Sequence, residues 1–169
     1  MKDIEVLEGF LTEDAFKAVK EEVHKLFSSP TTTYRVNLSS WPEDIVRDSA
    51  PVLVYDFTKV SKVYRIMEEA CERQVGKTPS SVLLYQWSNL SYIPWHNDEQ
   101  VGNAGTLYLD ENWDANWGGA YLYETSDREV KALFPFGNRL VLQYNHTPHA
   151  TTLTSKVAPI RRTLQMFFE

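Results

Sequence analysis

The sequence predicts a mostly β protein in which helices pack against one face of a β-sandwich. Helical periodicity dominates the chain up to Val75, and from Ser81 onward the apolar residues alternate as they do in strands. Short strands separated by turn-rich stretches at a spacing of roughly 8–12 residues are typical of a sandwich or barrel rather than of a parallel sheet. Helices followed by strands indicate that the helices buttress one face of the sandwich.

Composition limits the classes of function. The chain has 169 residues, 43% of them hydrophobic, and we expect one domain over 1–169, with a helical part over 1–80 and a β-rich core over 81–169. The net charge is −6 and no run of Lys or Arg exceeds two residues, so nucleic acid is not an expected partner. The single cysteine, Cys71, excludes an internal disulfide and a thiolate zinc cluster. No apolar stretch approaches the roughly 18 residues of a membrane span, so we expect a soluble cytoplasmic protein without a membrane partner. The oligomeric state is not predicted.

The first part of the chain predicts one strand and two amphipathic helices. The strand covers Ile4–Phe10, and Thr12 is placed to cap the helix that follows it. Apolar residues at three- and four-residue steps mark the buried stripe of this helix: Phe16, Val19, Val23 and Leu26. A second helix is predicted over Thr58–Val75, ended by Gly76. Its inward residues are predicted to be Val60, Val63, Met67, Ala70 and Cys71.

The segment Ser28–Asp56 between these helices has no clear period. Thr31–Val36 and Pro51–Tyr55 are candidate strands, and Trp41-Pro42 interrupts the segment between them. Because neither this segment nor Glu99–Ala104 is periodic, both are candidates for mobile segments over a functional site.

Seven strands are predicted after Ser81. They cover Val82–Trp87, Gly105–Asp110, Gly119–Glu124, Glu129–Phe134, Asn138–Tyr144, His149–Thr154 and Ile160–Phe168.

The last of these strands has one apolar and one polar face. The apolar set is Ile160, Leu164, Met166 and Phe168. Arg161, Thr163 and Gln165 share the opposite face. An arginine inside a sandwich is costly unless an anion meets it, and a carboxylate bound through two hydrogen bonds would meet that need. The alternative is an arginine at a strand end whose charged group reaches water.

A histidine and a carboxylate lie two residues apart at His96-Asn97-Asp98. In an extended backbone such residues point to the same side, so an imidazole nitrogen and a carboxylate oxygen can converge on one point. These are two of the three ligands of a facial iron site, whose third ligand is a second histidine. His146 and His149 both lie farther along the chain. A lone His-x-Asp is also common as a surface pair.

These residues and their surroundings resemble the iron(II)- and 2-oxoglutarate-dependent dioxygenases, in particular the prolyl-4-hydroxylase-like branch. The motifs that carry the resemblance are Tyr92-x-x-x-His96-x-Asp98, Leu107-Tyr-Leu-Asp-Glu-Asn-Trp-Asp114 with Trp117-Gly-Gly119, Asn138-Arg-Leu-Val-Leu142, Pro148-His149 and Arg161-x-Thr163-Leu-x-x-Phe-Phe168. The likeness is good from Tyr85 onward and loose before it. It implies a double-stranded β-helix, or jelly-roll, fold.

The resemblance also implies a cofactor site. Iron(II) would be held by His96, Asp98 and His149, because the family's histidine opens the strand that leads to the arginine, whereas His146 lies in the preceding turn.

The cosubstrates would be 2-oxoglutarate and O2. Arg161 would bind the far carboxylate of 2-oxoglutarate, since the family's arginine stands two residues before a small residue, here Thr163. Tyr108 and Tyr85 match tyrosines near the cosubstrate. The candidate substrate contacts, Trp95 and Tyr92, belong to the His-x-Asp motif region.

The implied activity is hydroxylation of an unactivated C–H bond with release of succinate and CO2. The resemblance favours a prolyl residue of a peptide or protein as substrate, although members that act on procollagen carry lysine where Arg161 stands. Two alternatives remain: the same chemistry on a free amino acid, another small molecule or an alkylated base, and a jelly-roll binding module without catalysis.

Overall fold

Two antiparallel β-sheets and three α-helices build the part of the chain that the computed structural model describes, residues 3–36, 43–98 and 102–168. With strands numbered in chain order, the major sheet has the order β1 (Ile4–Leu7), β9 (Leu140–Gln143), β6 (Asn103–Tyr108), β11 (Arg161–Phe168), β4 (Ser81–Trp87), β3 (Val52–Asp56) and β2 (Arg35–Val36). The minor sheet has the order β5 (Ile93–His96), β10 (His149–Thr151), β7 (Tyr121–Glu124) and β8 (Val130–Leu133). The predicted class, mostly β with flanking helices, is confirmed.

The two long helices cover the outer face of the major sheet. α1 (Glu13–Ser28) begins at the predicted cap, where the Thr12 hydroxyl accepts from Ala15 N at 3.3 Å. The short helix α2 (Glu43–Val46) precedes β3, and α3 (Lys62–Val75) ends at Gly76 in the left-handed conformation, with φ 72°. The buried residues of α1 and α3 share one core with strand residues such as Leu84, Leu107 and Leu164.

The opposite residues of the same strands face the minor sheet. Trp87 packs with Ile93 of β5, and Tyr108 packs with Tyr121 of β7. This alternation separates an outer, helix-covered core from an inner core between the two sheets.

Several sequence-based predictions need correction. Val60 precedes α3 instead of lying on its inward face, and its side chain is 75% exposed. Ile160 precedes β11 and is 45% exposed, whereas Leu164, Met166 and Phe168 are buried as predicted. The strand predicted over Thr31–Val36 is confined to Arg35–Val36, and α2 and β5 were not predicted as a helix and a strand.

The irregular segment Ser28–Asp56 is partly scaffold. Its candidate strand near Pro51–Tyr55 is confirmed as β3, with Val52 and Val54 buried. Trp41-Pro42, and Glu99 to Val101 of the second irregular segment, lie outside the described residues. None of the helices described is long and apolar enough to cross a membrane.

Candidate metal centre

Three possible metal ligands converge between the two sheets. One ligand atom from each of His96, Asp98 and His149 lies within 4.8 Å of the others. Each imidazole Nε2 is 3.6 Å from a different oxygen of the Asp98 carboxylate. Two nitrogens and one carboxylate on one side of a common point form the donor set of a facial triad.

Strand pairing brings the two histidines together. His96 ends β5 and His149 begins β10, and the two residues are direct partners across this antiparallel pair. The next matched pair is Ile93 with Thr151, so β5 carries one residue more than β10 over the same distance. This irregularity is a β-bulge. It shifts the side-chain alternation of β5, so that Ile93 and His96 lie on the same side of the strand although they are three residues apart.

Backbone carbonyls fix the orientation of both imidazoles. Nδ1 of His96 lies 2.8 Å from the carbonyl oxygen of Pro94, and Nδ1 of His149 lies 2.8 Å from that of Thr147. Because a carbonyl can only accept, Nδ1 carries the proton and donates it, which leaves the lone pair on Nε2 facing Asp98. A fixed tautomer of this kind is typical of metal-ligating histidines.

His149 is neutral at physiological pH. It is buried, and its ring stacks on Tyr121 with a centroid distance of 5.3 Å and an interplanar angle of 22°. Burial, together with the nearby His96, lowers the pKa of His149 to about 4. A neutral imidazole is the form that binds a metal, so the donor set fits a divalent ion such as iron(II).

His146 lies beside this cluster but outside it. It is an exposed turn residue with φ 54°, and its Nδ1 donates to the backbone carbonyl oxygen of Asp98 at 3.1 Å. The structure therefore brings His149, not His146, to the metal-ligand atoms, and gives His146 a contact that supports the Asp98 backbone.

Arg161 is a buried cation on the inner face of the major sheet. Its side chain is 1% exposed, and Cζ lies 4.2 Å from the centre of the Trp87 ring. Nη1 donates to the carbonyl oxygen of Gly119, and within the described part of the chain Nε has no hydrogen-bond partner and the guanidinium forms no ion pair. Burial lowers the pKa of Arg161 to about 10, so the group stays charged at neutral pH. A buried charge with an unfilled donor provides a binding position for an anion.

The other three predicted cosubstrate residues lie next to Arg161 in the sheet. Thr163 pairs with Tyr85 of β4 on one side and with Tyr108 of β6 on the other. Burial raises the pKa of both tyrosines to about 12, so their phenols remain protonated donors. The Thr163 hydroxyl accepts from Nε1 of Trp87 at 3.1 Å and so orients the ring on which Arg161 rests.

The two predicted substrate residues behave differently from each other. Trp95 is 48% exposed next to His96 and is accessible to a substrate. The Tyr92 hydroxyl donates to the carbonyl oxygen of Ile45 at 2.5 Å. This bond connects the residue before β5 to α2 and gives Tyr92 a structural contact. Arg162 points away from Arg161, with its Cζ 4.4 Å from the centre of the Phe27 ring of α1.

The sequence did not indicate the roles of three residues in this arrangement, Trp87, Gly119 and Tyr121. Trp87 and Tyr121 were indistinguishable from ordinary aromatic core residues. The adjacent glycines Gly118 and Gly119 were a signal of close backbone approach, but they do not reveal which side chain approaches.

Several solved structures are similar to this chain in fold, although its sequence matches no known family. No protein-family model matches the chain, and no curated protein matches it in sequence. A prolyl hydroxylase from Trichoplax adhaerens, solved with a peptide fragment of the hypoxia inducible factor oxygen degradation domain, superposes with a TM-score of 0.79 at 13% identity, over 98% of this chain and 83% of that one. A prolyl-4-hydroxylase from Pseudomonas putida gives 0.73 at 14% identity, over 99% and 92%. The chain has the fold of the prolyl hydroxylases. The predicted jelly roll is thereby confirmed.

The same fold carries other reactions. The non-heme alpha ketoglutarate dependent epimerase SnoN from nogalamycin biosynthesis superposes with a TM-score of 0.71 at 10% identity, over 99% of this chain and 78% of that one. The prolyl-hydroxylase fold therefore does not by itself define the substrate.

Proposed function

We propose that the protein is an iron(II)- and 2-oxoglutarate-dependent dioxygenase that hydroxylates an unactivated C–H bond. The observation that carries the proposal is that one inner core contains both a His-Asp-His donor set and a buried arginine that forms no ion pair with any described residue. A chain of aromatic contacts connects the two parts: Arg161 lies near Tyr108, Tyr108 packs with Tyr121, and Tyr121 stacks on His149.

The two parts match the two ends of 2-oxoglutarate. Its 2-oxo acid end is a chelating group suited to the metal held by His96, Asp98 and His149, and its far carboxylate is suited to Arg161. Bound iron(II) and 2-oxoglutarate would supply the oxidising chemistry, in which O2 gives one oxygen atom to succinate, formed with CO2, and the other to the substrate as hydroxyl.

The residues of the chain would bind, orient and exclude water. Two imidazoles and one carboxylate would bind iron(II) without cancelling its positive charge, and the carbonyls of Pro94 and Thr147 hold the two rings in the orientation that turns each Nε2 toward Asp98. Tyr108, Tyr121 and Trp87 surround the site with buried aromatic surface, which keeps water away from the bound cosubstrate.

A prolyl residue in a peptide or protein is the substrate that we favour. The two proteins compared first are prolyl hydroxylases, and one of them was solved in complex with a peptide fragment. Trp95, exposed beside His96, offers an aromatic surface on which a pyrrolidine ring can pack. The second candidate is a small molecule, which the similarity of fold to SnoN supports.

The test is a decarboxylation assay with iron(II), 2-oxoglutarate and O2 against proline-containing peptides, free amino acids and alkylated bases. We expect succinate release that depends on both iron(II) and 2-oxoglutarate and that increases when one of these classes of substrate is added. Peptide stimulation supports the prolyl assignment, and stimulation by small molecules alone supports the second candidate. Failure of iron and 2-oxoglutarate to bind would instead indicate a jelly-roll binding module.

A further inference from the structure

Gly119 is in direct contact with the arginine of the cosubstrate site. Its carbonyl accepts from Nη1 of Arg161, and its backbone has φ 71°, in the left-handed region. A Cβ atom placed on Gly119 would lie 2.6 Å from Nη1 of Arg161 and 3.1 Å from Cγ2 of Thr154. The guanidinium therefore occupies the space that any other residue at this position would need.

The guanidinium also packs against the Trp87 ring. The ring centre is 4.2 Å from Cζ, and the indole is itself held by its hydrogen bond to Thr163. An arginine side chain has many rotamers, and fixing one of them costs free energy that an anion would otherwise have to supply on binding. Contact with both the Gly119 carbonyl and the Trp87 ring holds the guanidinium before any ligand arrives.

We propose that Gly119 is a positioning residue for the cosubstrate: its carbonyl and its missing side chain hold the Arg161 guanidinium against Trp87 in the orientation that receives a carboxylate. This inference rests on the proposed function, because it takes the far carboxylate of 2-oxoglutarate as that ligand. It assigns a role in cosubstrate binding to the second residue of the double glycine.

Gly119→Ala tests the proposal. The added methyl group displaces Nη1, and we expect 2-oxoglutarate affinity to fall about tenfold, the size of one charge-assisted hydrogen bond. Affinity is measured by calorimetry without oxygen, with manganese(II) in place of iron. The total tryptophan emission of the metal-free protein gives an independent readout, because the cation moves away from the Trp87 ring.

Gly76→Ala is the matched control. Gly76 has nearly the same backbone angle, φ 72°, at the end of α3, and a Cβ there would meet no atom of the described chain within 4 Å. Both variants carry the backbone cost of a left-handed alanine and should lose thermal stability. Only Gly119→Ala should lose 2-oxoglutarate affinity and alter tryptophan emission.

A double-mutant cycle separates positioning from a general structural effect. Lysine at position 161 has no Nη1 to collide with the new methyl group, so Gly119→Ala should change affinity little in an Arg161→Lys background. An equal loss in both backgrounds overturns the proposal. If Gly119→Ala alone does not fold, recovery of the fold in the Arg161→Lys background supports it, and continued misfolding there overturns it.

The outcomes also separate this inference from the function on which it rests. If Arg161→Ala retains 2-oxoglutarate binding, the cosubstrate assignment is wrong. If Arg161→Ala loses binding while Gly119→Ala binds as the unmodified protein does, the cosubstrate assignment stands and the positioning role of Gly119 is wrong.

Discussion

Each imidazole of the candidate metal centre is oriented by a hydrogen bond to a backbone carbonyl. Pro94 and Thr147 each stand two residues before the histidine that they orient, so the carbonyl acceptors come from the same strand ends as the ligands. This local arrangement explains why His149 and His146, three positions apart, have different surroundings. His149 is buried with its Nε2 facing Asp98, whereas His146 is exposed and contacts the Asp98 backbone.

The metal ligands can be tested with these two histidines. Anaerobic addition of iron(II) and 2-oxoglutarate should produce the visible charge-transfer band of a chelated 2-oxo acid. His149→Ala should abolish the band, because it removes one of three ligands, and His146→Ala should largely retain it. The reverse result would show that the ligand assignment is wrong.

The neighbouring arginines give a second test. Charge-assisted hydrogen bonds contribute about 1.5–3 kcal/mol, so Arg161→Ala should weaken 2-oxoglutarate roughly ten- to hundredfold. Arg161→Lys should weaken it less, because lysine keeps the charge but loses the planar fork. Tyr108→Phe should have a modest effect if its hydroxyl shares the carboxylate.

Arg162→Ala is the matched control for this series. Arg162 lies on the outer face of the same strand, against Phe27, and its removal should change cosubstrate affinity little. Calorimetry measures the 2-oxoglutarate affinity of the Arg161 and Arg162 variants. Loss of binding in Arg162→Ala with retention in Arg161→Ala would reverse the assigned register of β11.

At the scale of the element, α3 shows how a helix boundary changes a residue's role. Val60 fits the apolar period of the helix, but Ser61 caps α3 and leaves Val60 outside. Met67→Ala, at a fully buried position, should lower the free energy of unfolding by about 2–5 kcal/mol. Val60→Ala should change it by less than about 0.5 kcal/mol. Denaturant unfolding of the two variants measures the difference, and equal effects would contradict the position of the helix start.

The same helix buries the single thiol. Cys71 is 0% exposed, its Sγ is 3.6 Å from Sδ of Met166, and burial raises the pKa of the thiol to about 12. We expect a thiol reagent at pH 8 to leave the native protein unmodified and to react after unfolding, since the thiolate is the reactive form. Rapid modification of the folded protein would show that α3 opens readily from the sheet.

At the scale of the whole molecule, the sequence predicts what depends on local periodicity. The late strands and the helix caps follow from alternation and capping residues. Alternation also sets Arg161 opposite the apolar residues of its strand, but it does not decide whether the charged group is buried or reaches water. The bulge in β5 does not, because it arises from how β5 pairs with β10. Trp87 and Gly119 both contact Arg161 although they lie far from it in the sequence. No local pattern around either residue predicts that contact.

The position of β11 has a consequence for folding. It is the last of the described strands in sequence, yet it lies at the centre of the major sheet, between β6 and β4. Until it pairs, β1, β9 and β6 are separated from β4, β3 and β2, and each group presents an unpaired edge that is open to aggregation. Pairings this distant in sequence are slow to form. Because Arg161 arrives on the same strand, a folding chain would acquire its proposed anion-binding residue only in the step that joins the two halves of the sheet.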